Sequence, residues 1–355
     1  MEKIGVVLFN LGGPDSLEAV EPFLYNLFQD PDIFTFPLAS LVRKPLAKFI
    51  SKRRAKTSRT YFEYMGGKSP IMELTLKQAE ALENSLNIDR AGPAAPHPQL
   101  RHRFAAGDNW GSPSRVTHSI EFKVVVAMRY WKPFTEDALR ILQQEGIQKV
   151  ILLPLYPQYS YTTTRSSERE WDLQCKKLGM SFEKVIRISD YHDHPLYIQS
   201  VVERIREAIE KFPAEKQKEV HLLFSAHGIP MKEIEAGDPY DQQIRKSVNE
   251  ILKSFPEYSH TLSYQSKVGP LKWLEPSTVD TLQKLAQEGK KQIVAIPISF
   301  VSDHSETLYE LKKLYGELAT SLGVEQYELM PALNGHPNFI ECLKEKVIKS
   351  LPPAV

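Results

Sequence analysis

Apolar residues gather in seven short runs: IGVVLF (4–9), FKVVVAM (122–128), KVILLP (149–154), KVIRI (184–188), VHLLF (220–224), HTLSY (260–264) and QIVAIPI (292–298). They are rich in valine and isoleucine and do not alternate with polar positions. That pattern predicts strands covered on both faces, because a half-exposed strand shows a period of two. The stretches between them carry a helical period. TEDALRILQQEG (135–146) puts Ala138, Leu139 and Leu142 on one side and stops at Gly146. LEAVEPFLYNLF (17–28), YIQSVVERIREAIEKF (197–212) and STVDTLQKLAQEG (277–289) show the same pattern. Strands alternating with helices predict an α/β architecture with mainly parallel sheets. A chain of 355 residues exceeds one ordinary core, so two lobes are expected. No internal repeat stands out in the sequence.

In such sheets ligands sit beyond the carboxyl ends of the strands. Five of the runs end in chemically loaded residues: Asn10-Leu11-Gly12-Gly13, Arg129-Tyr130, YPQYSYTTT (156–164), His227, and FVSDHSETLYE (300–310). Two stretches break the pattern. Segment 34–54, FTFPLASLVRKPLAKFISKRR, mixes large apolar residues with a basic cluster at Lys52, Arg53 and Arg54. It suits a buried helix pair, or an apolar flap whose basic flank meets anionic lipid. Segment 90–118 has no lysine or glutamate, and Pro93, Pro96, Pro98 and Pro113 forbid regular structure. It is expected to be a long exposed loop.

Composition narrows the function. With 42% apolar and 25% charged residues the chain is a globular, water-soluble type. A net charge of +1 argues against a general nucleic-acid binder. Cys175 and Cys342 form no CxxC pair and cannot supply four ligands to an iron–sulfur cluster. This cysteine usage fits a reducing cytoplasm. The N-terminus looks like a first strand, not a secretory signal, and no apolar run reaches the ~18 residues of a membrane span.

His227 is the one histidine placed just after a strongly apolar strand. An imidazole there is most often a satisfied core group. Gly228 and Pro230 shift the balance towards a site, since glycine permits close approach to the backbone and proline keeps the chain off the ring. At neutral pH such a group accepts a proton or binds a metal. If 303–315 is an α-helix, Asp303, Glu306 and Glu310 share a face next to His304. That stripe is either a solvated acidic face or a route for protons or a divalent cation, and it carries no zinc signature. Asn10-Leu11-Gly12-Gly13 lacks both phosphate-loop patterns. The aromatic set Tyr130, Trp131, Tyr156, Tyr159, Tyr161 and Trp273 suits a core, or a large flat apolar ligand.

Taken together, NLGGPDS (10–16), GGKSPI (66–71), AMRYWKPFTEDAL (127–139), LPLYPQYSYTTT (153–164), LFSAHGIP (223–230), YQSKVGPLKWLEPST (264–278) and FVSDHSETLYEL (300–311) resemble the motifs of the ferrochelatase family, in family order. The resemblance covers nearly the whole chain outside 90–118. It implies two Rossmann-like lobes with parallel sheets flanked by helices, the chelatase fold, around an active-site cleft. The lobes are expected at 1–165 and 166–322, with 323–355 returning to the first. It implies insertion of ferrous iron into protoporphyrin IX, giving protohaem and two protons. His227 is then the active-site base or metal ligand, and Glu306 faces it across the macrocycle. Asp303, His304 and Glu310 extend the acidic line on a π-helical turn. Arg129 and Tyr130 stand on the opposite wall near a metal route. Asn10, Leu11, Tyr159, Ser225 and Trp273 line the porphyrin pocket. Segment 34–54 becomes an apolar lip, giving a cytoplasmic protein with peripheral contact at the inner face of the membrane. Iron is a substrate, with no resident cofactor. The chain departs from the family pattern at Lys68, where a glycine is common, and at Lys312 and Lys313, which end the acidic line. No [2Fe–2S] cluster is expected, because the cysteine-bearing extension of some relatives is missing. Coproporphyrin III ferrochelatases, cobalt chelatases and a non-catalytic porphyrin carrier are the competing readings.

Overall fold

The computed structural model describes residues 2–33, 39–88, 120–267 and 271–352. All seven runs form strands, and an eighth joins them. In chain order these are β1 (Glu2–Asn10), β2 (Ile120–Met128), β3 (Lys149–Pro154), β4 (Lys184–Arg187), β5 (His221–His227), β6 (His260–Gln265), β7 (Gln292–Pro297) and β8 (Gln326–Leu329). They build two four-stranded sheets, ordered β2-β1-β3-β4 and β6-β5-β7-β8, with parallel pairing throughout. Helices flank both sheets, as the alternation predicts. β8 escapes the pattern because it is a four-residue edge strand, half-buried along its length.

The two lobes repeat each other although the sequence hides it. A π-helical segment comes after the third strand of each sheet: Tyr161–Arg165 after β3 and Glu306–Leu314 after β7. A His-Pro pair opens the helix after each fourth strand, at His194-Pro195 for Pro195–Ile209 and at His336-Pro337 for Pro337–Ser350.

The expected lobe boundary at 165 is corrected. β4 pairs with β3, so the first sheet continues to Arg187, and the helix Ser166–Leu178 belongs to the first lobe. Segment 323–355 divides: β8 pairs with β7 in the second sheet, while helix Pro337–Ser350 packs on the first-lobe helix Ile71–Ile88. In return, helix Pro195–Ile209, which comes after the first sheet, lies against Tyr240–Leu252 and β7 of the second lobe. The lobes exchange helices.

Successive residues of a strand face opposite sides of its sheet. Ile4, Val6 and Leu8 of β1 join Leu222, Phe224 and Ala226 of β5 in one core that spans both lobes. Val7 and Phe9 enter a separate outer cluster with Trp171. Both faces of the central strands are therefore buried, which is why their sequences are unbroken apolar runs.

Among the described residues, segment 34–54 shows one helix and not the expected pair. Residues 39–54 belong to one helix, Ala39–Tyr64, and 34–38 lie outside the described residues. Ala55 and Phe62 of that helix pack on Val20 and Leu24 of helix Val20–Gln29. Phe49 is exposed, as are Lys48, Lys52, Arg53 and Arg54. Among the described residues, no helix is long and apolar enough to cross a membrane. Segment 90–118 lies outside the described residues.

Candidate active site

In the second sheet the chain leaves β5 for β6 on one side and returns to β7 on the other. The order reverses between β5 and β7, and in such sheets ligands bind beyond the carboxyl ends at that point. His227 is the last residue of β5, and the segment after β7 carries Ser299, Phe300, His304 and Glu306. The topology alone brings these groups together.

His227 Nδ1 stands 3.1 Å from Glu306 Oε2, with 35% of the His227 side chain and 29% of the Glu306 side chain accessible. The two groups touch, so the expectation that Glu306 faces His227 across a macrocycle is corrected: both project from the same sheet end. His304 Nδ1 lies 3.0 Å from the Ser302 carbonyl and so carries its proton there. His304 Nε2 lies on the other side of the ring, 3.8 Å from Glu306 Oε2. His227 Nδ1, His304 Nε2 and Glu306 Oε2 are all buried without an aligned hydrogen bond. Buried polar atoms are rarely left so, and three that converge form a place for a cation or a moving proton.

The charges are tuned against each other. Burial disfavours charge on His227, but Glu306 and then Glu310 outweigh it and raise its pKa above the ordinary value. Burial likewise opposes ionisation of Glu306, and His227 and His304 more than reverse this, holding its pKa well below the usual carboxylate range. Glu310, four residues on along the π-helical segment, is raised by burial and then by the Glu306 charge. Hydrogen bonds from Tyr315 Oη and Ser266 Oγ, each 2.7 Å, oppose that rise without cancelling it. The two neighbouring carboxyls are thus pushed in opposite directions, Glu306 down and Glu310 up.

Asp303 does not share their face. Regular helix begins only at residue 305, and the Asp303 carboxylate is bound by Asn334 Nδ2 at 2.9 Å and Thr307 Oγ1 at 3.1 Å. Ser225 has no exposed surface and lines no cleft; its hydroxyl meets Gln265 and Thr278 inside the sheet. Trp273 is half-buried and bridges to Pro230, and a Cβ on Gly228 would stand 3.3 Å from its ring.

The matching reversal of strand order in the first lobe falls between β1 and β3. Asn10 is buried there, its amide donating to Thr75 Oγ1 at 2.9 Å and its Oδ1 accepting from the Leu11 N–H at 2.8 Å. Leu11 packs on the outer cluster. The Tyr159 N–H reaches Gln243 of the second lobe at 2.7 Å. Tyr130 is fully buried and donates to Asp30 at 2.6 Å, and Arg129 pairs with the same carboxylate at 3.1 Å. Their ties stay within the first lobe, apart from His227 and Glu306.

Sequence reasoning passes over the groups that hold His227. Its N–H donates to Ser299 Oγ at 3.0 Å, Ser299 Oγ meets Tyr240 Oη at 2.7 Å, and Tyr240 donates to the His227 carbonyl at 3.0 Å. This closed ring clamps both polar groups of the His227 backbone. Phe300 sits between the histidines, its ring centroid 6.2 Å from His227 and 4.6 Å from His304. A serine and a tyrosine in ordinary loop and helix contexts give no sequence signal.

Two parallel-sheet lobes with a histidine–carboxylate centre at a strand-order reversal define a chelatase-type enzyme. The solved structure of SirB from Bacillus subtilis with Fe3+ shares this fold, with a TM-score of 0.54 at 8% identity, covering 99% of this chain and 96% of that one. The family model for ferrochelatase matches residues 3–105 and 111–351, so the chain belongs to the ferrochelatase family. The match breaks only within the atypical segment 90–118. The ferrochelatase of Aquifex aeolicus (strain VF5) is 50% identical over 345 residues, covering 97% of this chain and 98% of the relative. That of Sulfurihydrogenibium sp. (strain YO3AOP1) is 46% identical over 369 residues, covering 98% and 99%.

Proposed function

We propose that the protein inserts ferrous iron into protoporphyrin IX, forming protohaem and releasing two protons. The observation that carries this reading is the convergence of His227 Nδ1, His304 Nε2 and Glu306 Oε2, each buried and without an aligned hydrogen bond. Iron enters as a substrate. In the reaction two pyrrole N–H bonds break, Fe2+ replaces the two protons, and its oxidation state is unchanged.

A base must therefore reach the ring centre. His227 is the first acceptor: its Nδ1 side is covered by Glu306, and the rest of the ring is the accessible part. The ionised Glu306 stabilises the imidazolium as it forms. The second proton passes to the carboxylate pair, where Glu310 takes up a proton more readily than an ordinary carboxylate. His304 and Glu306 offer nitrogen and oxygen ligands, which suit a divalent ion that must leave again better than thiolates do.

The test is anaerobic metallation with ferrous iron, run in parallel with detergent-dispersed protoporphyrin IX and coproporphyrin III. Protoporphyrin fluorescence should vanish rapidly with wild type and persist with His227→Ala, with turnover down by at least about a hundredfold, the lower end of general-base effects. A higher kcat/KM for coproporphyrin would overturn the substrate assignment. Porphyrin binding without metallation in the wild type would make the cleft a carrier site.

A further inference from the structure

Gln78 lies on the first-lobe helix Ile71–Ile88 and has no exposed surface. A buried primary amide needs partners at both ends. Gln78 finds them in the other lobe. Its Oε1 accepts from Ser302 Oγ at 3.1 Å, and its Nε2 donates to the Asn334 carbonyl at 2.8 Å. Both partners hold the loop that leads into Glu306. The Ser302 carbonyl is the acceptor for His304 Nδ1. Asn334 donates its N–H to the Val301 carbonyl at 2.7 Å. The Asn334 side chain binds Asp303 twice, through its carboxylate at 2.9 Å and its N–H at 3.1 Å. Asn334 does this from the left-handed region, at φ 47°. Asp303 in turn accepts from Thr307, the residue after Glu306. Among the described residues, Gln78 is the one first-lobe side chain hydrogen-bonded to loop 301–304.

We propose that Gln78 is a positioning residue for metallation: from the first lobe it fixes loop 301–304 and so sets where His304 and Glu306 stand against His227. The proposal rests on the reading of His227 and Glu306 as the metallation centre. It also gives Asp303 a structural place, as the knot of this tie. Gln78 touches neither His227 nor Glu306, so its whole effect must pass through the loop. Misplacement of a reacting group by about 1 Å can cost up to ~100-fold in rate.

The experiment is a double-mutant cycle on the full-length protein. Gln78→Met keeps the volume and removes both hydrogen bonds. It is combined with Glu306→Ala, and kcat and KM for iron insertion are measured with the melting temperature of each variant. Gln78→Met alone should lower kcat about tenfold, within the range such misplacement spans, and leave the porphyrin KM nearly unchanged. In the Glu306→Ala background it should cost clearly less, because one of the two groups it positions is gone. Equal fold losses in both backgrounds would overturn the proposal, since a residue that merely supports folding acts regardless of Glu306. Asn334→Gly is the second variant. Glycine tolerates the left-handed backbone and deletes only the side-chain bonds to Asp303, and the same non-additivity is expected. If Glu306→Ala leaves kcat intact, the metallation centre itself is misassigned and the proposal falls with it. If Glu306→Ala abolishes turnover and Gln78→Met does nothing, Gln78 alone is misassigned.

Discussion

At the scale of single residues, the site is a contest between burial and charge. His227 would lose its proton easily in a buried position, and Glu306 at 3.1 Å is what raises its pKa instead. A base must be neutral to accept a proton, so kcat/KM should climb with pH through the raised His227 value. Glu306→Gln removes the nearest negative charge and leaves burial in place. The acid limb of the kcat/KM profile should then move to lower pH, and a limb that stays put would exclude His227 as the titrating base. His227 is legible in the sequence because an apolar strand ends in an imidazole with Gly228 and Pro230 close behind. The reason for Gly228 is not. A Cβ there would stand 2.8 Å from the Gln265 carbonyl, so the glycine serves a close approach of two backbones. Gln78, Tyr240 and Ser299 are illegible for a related reason. Each is an ordinary polar residue in its own element, and its significance exists only where a distant segment crosses it.

Among the elements, β5 shows how one strand can treat two histidines in opposite ways. His221 opens it, buried between Ser259 Oγ at 2.8 Å and Thr261 Oγ1 at 3.0 Å. Burial, then Lys290 and His260, push its pKa down to about 4. The unfolded chain takes up this proton near 6.5, the folded chain only near 4. Between those values the unfolded state binds more protons, so the protein loses stability as pH falls through that window and loses no more from this group below it. The gap corresponds to about 3 kcal/mol. Urea midpoints at pH 7 and pH 4.5 check this: His221→Gln, which can still meet both hydroxyls, should lose less on acidification than wild type. An identical loss in the two proteins would rule the mechanism out. Element type is legible in the sequence wherever burial is one-sided or complete, as in the helix Thr135–Gln144 and the central strands. It is illegible at β8, whose four residues are neither. The π-helical segment Glu306–Leu314 is an expectation of the family resemblance alone; an α-helical period would put Asp303 beside Glu306, and the backbone does not.

At the scale of the whole molecule, two sheets of the same strand order share one core because they trade helices. Phe339 and Leu343 lie on the helix after β8, yet they belong to the core shared with Val6 and Leu8 of the first sheet. A boundary at 165 misses this because length fixes the number of lobes but not where a βα unit closes. β4 has to pair with β3 before the first sheet is complete. The shared core makes a specific demand. Phe339 has no exposed surface and packs near Tyr191 with ring centroids 5.9 Å apart. Phe339→Ala should cost about 3–5 kcal/mol, as large cavities in well-packed cores do. If the lobes are one cooperative unit, that cost falls on both sheets equally. Native-state hydrogen exchange should then lose the same protection, roughly a hundredfold or more, at Val6 and Leu8 of β1 and at Leu222 and Phe224 of β5. Loss confined to one of the two strands would mean that the lobes unfold separately. The inter-lobe tie from Gln78 could then not hold loop 301–304 in place, because the element carrying it would open independently of the site it serves.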